Sequence, residues 1–512
     1  MSIPSLLLLK QCLTKPIFQT IPNLTKQPAK PQLNLPRRTF SFNAATSNFY
    51  SEIVDFITNS PNESFVPLLE KHFVEDKAVL QDELVTVVRK LRKHKRFDRA
   101  LEIYEWASQK SLNRADFGDP AVHLDLIGKA RGVEAAEKFF YETNNHSEKD
   151  YRSMLNCYVQ EQLVDKALSL FQKMKELGIA SSSLTYNSIM SLYLKTEEPK
   201  KILDLLLEMQ DSGVSPDDVG HRMCLKACAL TSDYNSLDKI LKATENQPHP
   251  SLDWFMYSAV ANYYIDGGYP EKARNCLQKA ELGLHNNPIG YNNLISTYTK
   301  LGDVSDVTRL WQKRKDVCGT PINNDYRIML DALVKLDKFE QAEKLLEEWE
   351  SSGNDHDSRV PEVLLMGYAL KGQVEEAERM LESMISKYPT ISPTSWVIIS
   401  KGHIKRENMQ KAVQCMEKAL QLGLQHKGWV PKHAVVWNIL TWLGDHGDVE
   451  VVYEFLKLMS RVVPMNRNMY QALLSSSKRY GKDIDDFVQR MKADNIDVDE
   501  ETLTIMRGTC EI

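Results

Sequence analysis

The chain has 512 residues, 42% of them hydrophobic and 26% charged, with a formal net charge of −5, an ordinary balance for a soluble protein. No uninterrupted apolar run approaches the ~20 residues a membrane-spanning helix needs, so no membrane insertion is expected. Eight cysteines in a chain of this length are too few for a disulfide framework and point to a reducing compartment.

The first 40 residues contain Lys10, Lys15, Lys26, Lys30, Arg37 and Arg38, several Ser and Thr, and no acid before Glu52. That is the chemistry of an organellar transit peptide. A secretory signal would need a longer apolar core than Leu6 to Leu9, which Lys10 stops. The stretch Arg37-Arg38-Thr39-Phe40-Ser41-Phe42 resembles a mitochondrial processing site, with cleavage expected after Phe40. A chloroplast destination is the alternative, because the two kinds of presequence overlap in composition. Loss of these six of the 64 basic residues leaves 58 against 69 acidic ones, a net charge near −11. Nonspecific nucleic-acid binders usually show a basic footprint, so the average charge weighs against that function while leaving room for a local basic groove.

Residues 41–80 read as a lead-in to a repeat array over 81–499, with 500–512 as a tail. One helix pattern recurs at about 35 residues: Ala167-x-x-Leu170-Phe171-x-x-Met174, Ile202-x-x-Leu205-Leu206-x-x-Met209, Ala342-x-x-Leu345-Leu346-x-x-Trp349 and Ala377-x-x-Met380-Leu381-x-x-Met384. Each is an i, i+3, i+4, i+7 stripe, the signature of a one-faced helix. A second amphipathic segment lies upstream of each, as in Tyr186-x-x-Ile189-Met190-x-x-Tyr193, so every unit is a helix pair. Gly268, Gly302, Gly372 and Gly481 fall at the break between the two helices, where a residue tolerant of positive φ closes the first. Pro199 and Pro270 suit the opening of the next. A single pair cannot bury its stripes alone, so neighbours must stack. The pattern divides into about twelve units: 81–115, 120–147, 148–182, 183–217, 218–253, 254–287, 288–322, 323–357, 358–392, 393–433, 434–466 and 467–499, clearest from 148 to 392.

The segments Tyr186-Asn187-Ser188-Ile189-Met190, Met174-Lys175-Glu176-Leu177-Gly178-Ile179 and Met209-Gln210-Asp211-Ser212-Gly213-Val214-Ser215-Pro216-Asp217 resemble the pentatricopeptide repeat, a unit of about 35 residues ending in Gly-Ile/Val-x-Pro-Asp. The tetratricopeptide repeat is a poorer match, since its Trp-x-x-Leu-Gly-x-x-Tyr signature is absent. The resemblance implies an all-α right-handed superhelical solenoid of the plain, repeat-only class found mainly in plants. It also implies single-stranded organellar RNA as partner, one base per unit. In the family the base meets the residue after the motif Tyr and the last residue of the unit. Those pairs are Asn187/Asp217 and Ser258/Asn287, similar to combinations that favour U and A. Arg152/Ser182, Arg222/Asp253, Asn292/Ile322, Arg327/Asp357 and Glu362/Ser392 depart from the expected small polar groups. Arg152, Arg222 and Arg327 would then contact phosphate or stack on bases, or the groove serves a protein partner within a ribosome or RNA-processing complex.

Other constellations yield to packing. His221, Cys224 and Cys228 share a helix face as metal ligands would, but they occupy core positions of the repeat and lack a fourth donor. The run Arg89 to Arg96 is the densest positive charge after the presequence, and it fits both a phosphate grip and a solvated helix end. No nucleophile triad, phosphate-cradling loop, metal-protease motif or deaminase motif occurs. Neither a cofactor nor a metal nor a small-molecule substrate is expected, and the role is that of a non-catalytic adaptor.

Overall fold

Apolar residues at helical spacing leave each segment with one face that water disfavours, and among the described residues the chain responds with helices alone. The computed structural model describes residue 64 and residues 66–75, 77–110, 119–143, 146–246, 252–388, 391–426 and 428–507. The presequence expected over 1–40 and most of the lead-in lie outside the described residues. The chain divides into two compact units, 1–136 and 137–512. The first holds α1 (Val66–Glu75), α2 (Lys77–Lys93), α3 (Phe97–Gln109), α4 (Pro120–Arg131) and the start of α5 (Val133–Glu142).

The second unit continues through α6 (Glu148–Gln160), α7 (Val164–Glu176), α8 (Ser183–Lys195), α9 (Lys200–Asp211), α10 (Asp218–Leu230), α11 (Tyr234–Glu245), α12 (Trp254–Asp266) and α13 (Pro270–Leu282). Next come α14 (Pro288–Lys300), α15 (Val304–Cys318), α16 (Asn323–Lys335), α17 (Phe339–Glu350), α18 (Pro361–Lys371) and α19 (Val374–Lys387). The unit closes with α20 (Pro393–Lys405), α21 (Met409–Gly423), α22 (His433–His446), α23 (Val449–Met459), α24 (Arg467–Arg479), α25 (Asp485–Ala493) and α26 (Glu500–Arg507).

Even-numbered helices from α6 are the first of each pair and odd-numbered ones the second. From α6 to α24 each first helix packs on the first helix of the next pair, and each except α22 also packs closely on its own partner. The substantial contacts among the described residues join helices of the same or neighbouring pairs, which makes this unit an all-α solenoid. Its interior is built of extended apolar clusters that cross several repeats. One apolar cluster passes from Leu225 on α10 to Cys415 on α21, and another from Val397 on α20 to Leu473 on α24. The stripe residues Ala167, Leu170, Phe171 and Met174 are buried, as are Ile202, Leu205, Leu206 and Met209. Each large apolar side chain removed from water stabilises the stack by about 1.5–3 kcal/mol.

The break after a first helix has one recurring geometry, from which only the short link at Gly447 after α22 departs among the described pairs from α6 on, with a φ of −80°. Gly268, Gly302, Gly372 and Gly481 adopt positive φ there, and so do Gln162, Glu197, Ser232, Asp337 and Glu407. The turn therefore demands the left-handed conformation whether or not glycine is present.

Candidate nucleic-acid interface

First helices begin at corresponding points of their repeats, so the side chains of their first turns recur in register. Asn187 on α8 donates from Nδ2 to both carboxylate oxygens of Asp217, at 2.9 and 3.0 Å. Asp217 caps α10 by accepting the Gly220 N–H at 2.8 Å, and it also accepts the Ser183 hydroxyl at 3.0 Å. Burial alone would raise this carboxyl, but the hydrogen bonds from Gly220, Asn187 and Ser183 outweigh it and hold Asp217 below the usual carboxylate range.

The same place in the next-but-two unit is built differently. Asn292 on α14 donates to Asp325, the third residue of α16, at 2.6 Å, and the last residue of its own unit, Ile322, is exposed. Asp325 accepts the Ile322 N–H at 2.8 Å and pairs with Arg314, whose second guanidinium nitrogen donates to the Gly319 carbonyl at 2.6 Å. Each of these two asparagines is 7% exposed, and in each the carbonyl Oδ1 is buried without a donor. An orphaned buried acceptor costs about 1–3 kcal/mol.

At Asn292 the third residue of the following unit thus joins the expected two, and two further positions repeat this. Ser395, third residue of α20, donates to Glu362 at 2.8 Å. Burial pushes the Glu362 carboxyl above its ordinary range, and Asp357 adds to this, against the Ser395 and Ser392 hydroxyls and the charge of Arg327. Gln471 on α24 donates to Thr502, third residue of α26, at 3.1 Å, and to Asp499 at 3.4 Å.

The remaining expected residues take these places. Ser182 donates to Glu148 at 2.6 Å, and Arg152 lies 3.9 Å from the same carboxylate, so that pair meets through Glu148. Arg222 is half-buried and has no ion pair among the described residues, while Asp253 caps α12 on the Met256 N–H. Ser258 bonds to Asn293, whereas Asn287 caps α14 on the Gly290 N–H at 3.0 Å, so these two are not joined. Arg327 faces Asp357, whose carboxyl is held low by the hydrogen bond from Arg359 and by the Arg327 charge.

Beside these polar groups stand apolar ones that the sequence reading did not single out. Leu184, Val219 and Ile289 are second residues of α8, α10 and α14, and all three are exposed, Ile289 to 68%. Exposed aliphatic groups next to hydrogen-bonding ones suit the faces and edges of unstacked bases. The signal was present as a large apolar residue two places before Tyr186, Tyr291 and the equivalent His221.

The other constellations are structural. His221, Cys224 and Cys228 are buried, and His221 Nδ1 bonds to the Asp217 carbonyl of its own helix at 3.0 Å. Burial pushes the thiols of Cys224 and Cys228 up to about 12. Among the described residues no group of His, Cys, Asp or Glu is arranged to hold a metal ion. Lys90, Arg92 and Lys93 occupy the last turn of α2, where cations suit the helix dipole, and Arg92 pairs with Asp125 at 3.0 Å.

Family models for the PPR repeat match residues 151–191, 181–229, 289–313, 325–354 and 363–388. A pentatricopeptide repeat-containing protein of Arabidopsis thaliana, named as mitochondrial, is 37% identical over 91% of this chain and 95% of its own length. The Arabidopsis large ribosomal subunit protein mL101 is 32% identical over 84% of this chain and 88% of its own. The crystal structure of the pentatricopeptide repeat protein PPR10 from maize superposes with a TM-score of 0.50 at 17% identity, covering 90% of this chain and 74% of that one. That likeness is one of fold. Repeat matches and relatives that run along most of the sequence lead to one statement: the chain belongs to the pentatricopeptide repeat family.

Proposed function

We propose that this protein binds single-stranded RNA in the mitochondrion and acts there as a non-catalytic adaptor in RNA processing, stability or translation. The observation that carries the reading is the bonded Asn187/Asp217 pair, repeated in altered form at Asn292, on the first turns of first helices three repeats apart. Exposed Leu184, Val219 and Ile289 beside them supply apolar surface for bases. Arg152, Arg222 and Arg327 on the same turns supply positive charge that the net acidity conceals. The mitochondrial names of relatives agree with the basic, acid-free first 40 residues.

Binding to organellar single-stranded RNA, measured against salt, tests this. Replacing Arg152, Arg222 and Arg327 together by Ala should weaken all single strands alike and flatten the salt dependence, because phosphate contacts act through counterion release. Arg222, which makes no ion pair among the described residues, should contribute most. A triple variant that binds as well as the parent chain would remove the physical basis of the reading. A role as protein scaffold has its own support, the similarity to ribosomal protein mL101. In that case the same variant would lose a co-purifying protein while RNA affinity stayed absent throughout.

A further inference from the structure

The positions of Asn187 and Asn292 differ in sequence and agree in chemistry. At the first, the carboxylate comes from the last residue of the unit, Asp217, and the third residue of the next unit is Gly220, where an added Cβ would stand 3.0 Å from Asn187 Oδ1. At the second, the last residue is the apolar Ile322 and the carboxylate comes from the third residue, Asp325. The acid and the non-polar residue have exchanged places. Each carboxylate still caps its own helix, Asp217 on the Gly220 N–H and Asp325 on the Ile322 N–H, both at 2.8 Å.

An ionised carboxylate can only accept, so the atom an asparagine turns toward it must be its NH2 group. Both side chains are therefore held the same way round, with the donor spent and Oδ1 left buried and unpaired. At Asn292 this orientation is anchored from the preceding second helix, since Arg314 on α15 grips Asp325 and the Gly319 carbonyl.

We propose that Asp325 does for Asn292 what Asp217 does for Asn187, so that units 183–217 and 288–322 select the same class of base, one whose ring nitrogen carries an N–H. Uracil offers this at N3 and guanine at N1, whereas cytosine N3 and adenine N1 are acceptors and would meet Oδ1 lone pair to lone pair. Both oxygens are covered by neighbouring atoms, so a base must part the row to reach them, and satisfying an orphaned acceptor offsets part of that work. The two units are three repeats apart, and at one nucleotide per repeat the two selected bases enclose two others. Specificity at Asn292 is thus set by the third residue of the following unit rather than by the last residue of its own. The inference rests on the single-stranded RNA reading.

The test offers the purified full chain a randomised pool of single-stranded RNA and sequences what is retained. Uracil or guanine should be enriched at two positions separated by two nucleotides, on the order of tenfold over cytosine and adenine. In Asp325→Gly the downstream preference should vanish while the one owed to Asn187 persists, which also shows that the variant folds and binds. The double variant Ile322→Asp/Asp325→Gly recreates the Asp217/Gly220 arrangement and should restore the lost preference. Asn292→Ser removes the same preference without disturbing Arg314, and keeps the test decisive if Asp325→Gly fails to fold. Unchanged preferences in Asn292→Ser, or cytosine or adenine at the second position of the parent chain, overturn the inference while leaving RNA binding intact. A parent chain that retains no RNA overturns the functional reading itself.

Discussion

Arg314 and Asp325 are each 3% exposed, and the pair sits between two repeats with Asn292 leaning on it. Two charges in such a place are tolerated because each satisfies the other and Gly319 and Ile322 supply further hydrogen bonds. Arg314→Met strands the carboxylate, and urea unfolding should show a loss of about 3–5 kcal/mol. A loss under about 1 kcal/mol would mean that water or another cation reaches Asp325. His221 carries a pH dependence. Burial holds its imidazole below the ordinary value, against the Asp217 carbonyl and the charges of Asp218 and Asp217. The unfolded chain therefore takes up a proton as pH drops below about 6.5 while the folded chain does not, so stability falls from neutrality downward until the folded imidazole also titrates. Thermal unfolding between neutral and mildly acidic pH should slope less in His221→Gln than in the parent chain, and equal slopes would refute the assignment.

At the scale of helices, spacing alone located the stripes, but it ranked their members imperfectly. In α17 the stripe is Ala342, Leu345, Leu346 and Trp349, and Leu346 is only half-buried at the border of the core while the other three are buried. A helix of 3.6 residues per turn cannot aim i+3 and i+4 equally at one neighbour. The turns show the same limit. Glycine marks four of the breaks in the sequence, yet Glu407 adopts a φ of 59° at the equivalent point after α20. The left-handed conformation costs a side-chain-bearing residue about 1–2 kcal/mol, so Glu407→Gly should raise stability by about 1 kcal/mol after the added freedom of the unfolded chain is subtracted. Denaturant midpoints compare the two chains directly, and a midpoint that drops would show that Glu407 earns its place through contacts of its side chain.

Across the whole molecule, the function depends on a charge pattern that the average hides. Residues 1–40 hold six of the basic residues and no acid, and the rest of the chain is acidic. A fluorescent reporter fused behind residues 1–40 should enter mitochondria, since those residues alone have presequence composition. Fluorescence left in the cytosol or sent to the secretory route would defeat this. The acidic remainder still offers half-buried Arg152, Arg222 and Arg327 at matching points of three repeats, which is the distribution that salt-dependent binding has to exploit.

The sequence by itself determined the helices, their pairing and the 35-residue period, because these follow from residues within a few turns of one another, whose periodicity is visible along the chain. It also located Asn187 and Asp217, since both ends of that unit carry the expected residue types. What only the tertiary structure decided lies between repeats. That Asp325 substitutes for Ile322 beside Asn292, that Ser395 meets Glu362, and that Gln471 meets Thr502 are contacts between residues 31 to 33 positions apart. No local pattern encodes them, because the rotation from one helix pair to the next, set by how neighbouring cores interdigitate, chooses which side chain of the following helix comes within hydrogen-bond reach.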